Sequence, residues 1–91
     1  MALTKLTPTR HLAWQVVGEC AILLDLVTDA TIGLNLTGTL VFQRLLAGEH
    51  VETLAASLVD EFDVTLDQAL VDVRELVASL LARGLVEVHV E

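Results

Sequence analysis

The sequence predicts an α+β domain, a three-stranded antiparallel β-meander followed by three α-helices. Three observations carry that prediction. Apolar residues alternate with polar ones in short runs between positions 12 and 34, and Gly- and Asp-containing turns separate the runs. From position 36 onward the apolar spacing lengthens to that of a helix. The last helical pattern is bracketed by a capping threonine, Thr65, and a terminal glycine, Gly84.

Residues 1–11 contain Pro8 and show no clear period, so they read as a flexible N-terminus ahead of a single domain at 12–91. In residues 12–17, Trp14 and Val16 alternate with Gln15, and Gly18-Glu19 supplies a turn. In residues 20–26, Ile22 and Leu24 alternate with Leu23 and Asp25. This second run is apolar on both faces, which predicts a central strand. Residues 27–30 read as a loop and 31–34 as a third, short strand. Hairpin-linked neighbours most simply pair in antiparallel order.

Asn35 is placed to cap the first helix by accepting one of its orphan N–H groups. Leu36, Leu40, Val41 and Leu45 are expected to face inward, with Leu46 a further candidate and Gly48 as the stop. The second helix has the cleanest stripe: Val51, Leu54, Ala55, Leu58, Val59 and Phe62. Asp60, Glu61 and Asp63 crowd its C-terminal end, where the helix dipole disfavours them by a few tenths of a kcal/mol. The third helix opens on the capping box Thr65-Leu66-Asp67-Gln68 and closes at Gly84-Leu85. Leu66, Ala69, Leu70, Val73, Val77, Leu80 and Leu81 form its apolar face, with Leu76 at the margin. Residues 85–90 alternate and read either as a last strand or as a disordered end.

Composition narrows the function. Hydrophobic residues make up 54% of the chain and aromatics 3%, so the core is aliphatic and some apolar surface is left over for a partner or a second subunit. No apolar run approaches the ~20 residues that span a bilayer, and Pro8, Arg10 and His11 stand where the core of a secretory signal would be. A lone cysteine, Cys20, fits a reducing, cytoplasmic setting and reads as a buried structural thiol. Five basic residues against thirteen acidic ones give a net charge of −8, which disfavours nucleic acid and anionic membranes and favours a basic peptide or protein face.

Reactive constellations are missing. His11, His50 and His89 lie in separate segments, none three or four residues from another His or Cys, and read as surface histidines rather than metal ligands. Asp60, Glu61 and Asp63 lack the alternation of a calcium loop and read as a solvated acidic face. There is no nucleophile elbow, phosphate-binding loop or zinc-protease motif, so neither an enzyme nor a cofactor is expected. What remains is an open sheet. An edge strand with free N–H and C=O groups takes up an extended peptide as an extra strand. The run 31–34 offers such an edge if it lies outermost. The facing margin of the last helix would hold Ala69, Asp72 and Leu76, with Arg83 a further candidate. Ile32, Leu34 and Leu76 read equally well as core, and Asp72 as a solvated helix residue.

In order and spacing, the segments "ILLD", "LNLTG", "LLAGEHVETLAASLVDEFDV" and "ALVDVRELVASLLARGLVE" resemble the PqqD family over about residues 12–90. The resemblance implies a RiPP recognition element (a domain acting on ribosomally made, later modified peptides) with a winged helix-turn-helix-like fold. Such a domain binds the leader of a precursor peptide and presents the core to a modifying enzyme. That enzyme is a radical SAM protein in pyrroloquinoline quinone biosynthesis and a leader peptidase in lasso-peptide pathways. Carried onto this chain, the leader would pair along Thr31, Ile32, Gly33 and Leu34, facing Asp72, Leu76 and their neighbours. Gly33 departs from the family, which often has a bulky residue there. The alternative is a winged-helix DNA-binding or regulatory domain, but the helix that would read DNA sets Arg74 and Arg83 against Asp67, Asp72 and Glu75. A homodimer is compatible with the first reading.

Overall fold

A computed structural model describes residues 3–90 of the chain. Its elements run β1 (Thr4–Pro8), β2 (Leu12–Val17), β3 (Cys20–Asp25), β4 (Thr31–Gly33), α1 (Leu36–Leu46), α2 (Val51–Glu61), α3 (Leu66–Ala82) and β5 (Val86–Val90). The expected meander is there, antiparallel in the order β2-β3-β4, with β3 central. Ala21, Leu23 and Asp25 point from β3 into the core, and Cys20, Ile22 and Leu24 point the other way. Cys20 is therefore exposed, not buried. The strand's period of two assigns it to the outer face whatever the polarity of its thiol.

The N-terminus also differs from the sequence expectation. Residues 4–8 do not hang free; they pair antiparallel with residues 86–90 as a second, two-stranded sheet, and Leu6 is buried at 1% exposure. Met1 and Ala2 lie outside the described residues. Pro8 is tolerated because it ends the strand, and Thr9 anchors the corner by donating from its N–H to the Leu85 carbonyl and from its hydroxyl to that of Gly84. The tail is thus a strand, β5, whose partner lies some eighty positions upstream and leaves no local signal.

The helix ends follow the sequence closely. Asn35 Oδ1 accepts from the Gly38 N–H at 2.7 Å, and Thr65 Oγ1 accepts from the Gln68 N–H at 3.2 Å. At Gly84 (φ +69°) the Gly84 N–H donates to Leu81 and the Leu85 N–H to Leu80, with Leu80 and Leu85 both buried. This pair of bonds and the apolar contact beyond it form a Schellman motif. Gly48 (φ +105°) closes α1 with the equivalent pair of bonds. At the end of α2, Glu61 meets Arg44 at 3.0 Å, and the same guanidinium bonds Glu49 at 2.8 Å. That ion pair offsets the dipole penalty expected there.

The face of α1 is rotated from the sequence expectation. Thr39, Val41, Phe42 and Leu45 are buried, whereas Leu36 is 54% exposed and Leu40 only half-buried on the opposite side. Two apolar stripes compete on this helix, and two tertiary contacts choose between them. The Thr39 hydroxyl accepts from the buried Ala21 N–H at 2.7 Å, and the Phe42 ring meets Trp14 edge-on at 5.6 Å between centroids. On α3, Ala69, Val73 and Leu80 form the buried line, while Leu66 and Leu81 flank it in solvent.

Candidate functional site

The hydrogen-bond alternation of the sheet defines its free edge. The Leu34 N–H donates to Ala21 at 2.9 Å and the Asp25 N–H to Ala30 at 2.9 Å, so residues 30, 32 and 34 turn their backbone groups toward β3. Thr31 and Gly33 turn theirs away. Both are exposed, and among the described residues β4 has no strand on that side. The edge thus presents two donors and two acceptors. It ends at Ala21, whose N–H goes to Thr39 instead of back to β4. Asn35 then turns the chain into α1.

Side chains alternate with the backbone groups. Ile32 and Leu34 are half-buried and pack against the core, while Thr31 and Gly33 belong to the outer face. Beyond Asn35 the surface falls into a cleft of about 380 Å³ lined by Asn35, Thr37, Gly38 and Val41 on one side and Asp72, Glu75 and Leu76 on the other. A smaller hollow of about 220 Å³ adjoins it, sharing Asn35, Thr37 and Asp72 and reaching down to Ala69. The two make one groove along α3. Gln68 Nε2 donates to Asp72 Oδ1 at 2.8 Å and holds that carboxylate in place. Neither hollow is lined by a Lys or Arg, so Asp72 and Glu75 leave the groove acidic.

Of the seven residues picked from sequence, Asp72 and Leu76 line the main cleft, and Ala69 is buried in the floor of the smaller hollow. Thr31 and Gly33 carry the free backbone groups, with Ile32 and Leu34 beneath them. Arg83 caps the far end of α3 and lines neither hollow. Sequence reasoning missed Asn35, Thr37, Gly38, Val41 and Glu75. Glu75 was within reach, three positions from Asp72 on the same helix face. The first turn of α1 was not, because its approach to α3 depends on how α1 is rotated. Among the described residues no three His, Cys, Asp or Glu side chains converge as a metal site, and no helix is long and apolar enough to cross a membrane.

A strand edge running into a groove beside the last helix invites comparison with known domains. The family model described as Coenzyme PQQ synthesis protein D (PqqD) matches residues 20–86, from the start of β3 to the start of β5. The chain belongs to the PqqD family. Two solved structures share its fold. One is a lasso peptide synthetase B1 complexed with the leader peptide, 28% identical with a TM-score of 0.82, the match covering 91% of this chain and 98% of that one. The other is TbiB1 in complex with the TbiA(beta) leader peptide, 21% identical with a TM-score of 0.80, covering 89% and 94%. No curated protein matches significantly. The PqqD match leaves out β1, β2 and most of β5.

Proposed function

We propose that this PqqD-family chain is a non-catalytic peptide-binding domain. It captures the leader of a ribosomally made precursor peptide at the β4 edge and presents the rest to a modifying enzyme, a radical SAM protein or a leader peptidase. The observation that carries this reading is the outward-facing backbone of Thr31 and Gly33, set beside the acidic groove of α3. Support comes from the two structural relatives, each solved with a leader peptide. Strand addition supplies affinity through main-chain bonds and specificity through pockets. The residues assigned to it are Thr31, Ile32, Gly33, Leu34, Ala69, Asp72 and Leu76, joined by Glu75. A cytoplasmic setting accords with the single exposed Cys20. The DNA-binding alternative finds no support, since α3 lines its groove with carboxylates.

The test is a titration of the protein with the N-terminal half of a small precursor peptide encoded beside its gene, followed by backbone amide NMR. Saturable shifts at residues 31–34 and 68–76 are expected. Shifts confined to other surfaces, or none in the folded protein, overturn the reading. A second copy of the chain is a rival occupant of the edge and would shift the same amides with protein concentration alone.

A further inference from the structure

The outer face of the meander carries a gap where a peptide strand would begin. Across the sheet the register sets Gln15, Ile22 and Gly33 in one row, and Ala13, Leu24 and Thr31 in the next. Ile22 is 41% exposed, and its neighbour Gly33 contributes no side chain to cover it. A Cβ built on Gly33 would meet nothing within 4 Å, and its φ lies outside the left-handed region, so the backbone does not require glycine there. Beside this bare strip lies an open hollow of about 300 Å³ lined by Ala13, Trp14, Gln15, Ile22, Leu24 and Thr31.

We infer that the captured peptide carries a large apolar side chain, aromatic or long aliphatic, at the residue paired with Gly33. This rests on strand addition at β4. Gly33 is a residue whose N–H and C=O point to the free edge, so its partner forms a hydrogen-bonded pair with it and projects its side chain to the same, outer face. A short side chain there leaves both Gly33 and Ile22 in water. A long one lies across the glycine and reaches Ile22, covering backbone and apolar surface together, as aromatic residues do beside edge glycines elsewhere. The site therefore selects on two sides of the sheet: through the groove of α3 on the inner side and through the Gly33 gap on the outer.

The test uses a phage-displayed library of random 12-residue peptides selected on the folded protein. Selected peptides are then measured by fluorescence anisotropy against wild type, Gly33→Val and Ile22→Thr. Both variants change exposed outer-face positions and are checked for wild-type circular dichroism. The inference expects one shared Phe, Trp, Leu or Met whose replacement by Ala weakens binding to wild type about tenfold, the loss expected for roughly 60 Å² of apolar contact. In either variant the same replacement should cost about threefold or less. Peptides that shift the 31–34 amides but share no such residue, or lose as much on the variants, overturn the inference and leave strand addition standing. Peptides that bind without touching those amides overturn both.

Discussion

Adjacent positions on β4 should respond oppositely to proline. Ile32 turns its N–H toward β3, and Gly33 turns its N–H to the free edge. Proline is accepted in an edge strand where the missing N–H faced solvent, and it keeps the preceding residue extended, which Ile32 already is. Gly33→Pro should therefore fold, with Tm within about 5 °C of wild type. For peptide binding it removes one donor and leaves a peptide carbonyl unpaired, a loss of about 1–3 kcal/mol, or about five- to 150-fold in Kd. Ile32→Pro instead breaks the ladder to Leu23 and deletes a side chain packed against the core. Its cost should be about 2–5 kcal/mol, a fall in Tm of at least about 10 °C at this size. Thermal melts by circular dichroism and anisotropy with the leader peptide read the two effects separately. Equal destabilisation by both prolines would mean that the β3–β4 register is wrong. A folded Gly33→Pro protein that binds as tightly as wild type would mean that the peptide does not add to this edge.

Four other outcomes follow from the packing. Thr39→Val keeps the shape but orphans the buried Ala21 N–H; a loss of about 1–3 kcal/mol in urea unfolding is expected, and a neutral result would show that the hydroxyl does not hold β3 to α1. Gly84→Ala forces a Cβ into left-handed backbone and should cost about 1–2 kcal/mol, seen as a Tm fall of about 4–8 °C per kcal/mol. Leu76→Asp should lower the melting temperature, because Leu76 is half-buried against the core, yet leave a folded protein that binds the leader more weakly; unchanged affinity in the folded variant would move the groove elsewhere. The Asp25 carboxylate accepts from the Val27 and Thr28 N–H groups, the Val27 bond being the larger cause that holds its pKa below the usual 3.8. Its ionised form therefore stabilises the fold above that value, and the benefit is lost as pH falls through the lower, folded-state pKa. Urea midpoints of wild type and Asp25→Asn should differ at pH 7 and converge in acid; a gap that persists unchanged at pH 2 would refute the assignment.

Much of this protein was legible one element at a time. Asn35, Thr65, Gly48 and Gly84 mark helix ends through bonds made within a few residues of themselves, so local chemistry suffices to place them. The central position of β3 follows from its two apolar faces. The candidate edge at 31–34 followed from counting strands, and Asp72 and Leu76 from the period of α3. The rest depends on contacts between distant positions. Residues 4–8 look structureless alone because a strand gains its bonds only from a partner, and that partner is residues 86–90. Cys20 was misjudged because burial followed the strand's phase, not the residue's polarity.

The sequence by itself therefore determined the order of elements from β2 to α3 and the ends of the helices, since each is set by neighbours along the chain. Only the tertiary structure decided which stripe of α1 turns inward, because Thr39 and Phe42 make that choice through Ala21 and Trp14 on other strands. That rotation brings the first turn of α1 to Asp72, Glu75 and Leu76 and so creates the groove. The free edge was decided in the same way: which backbone groups of β4 remain open depends on register with β3, and register is a property of the pair.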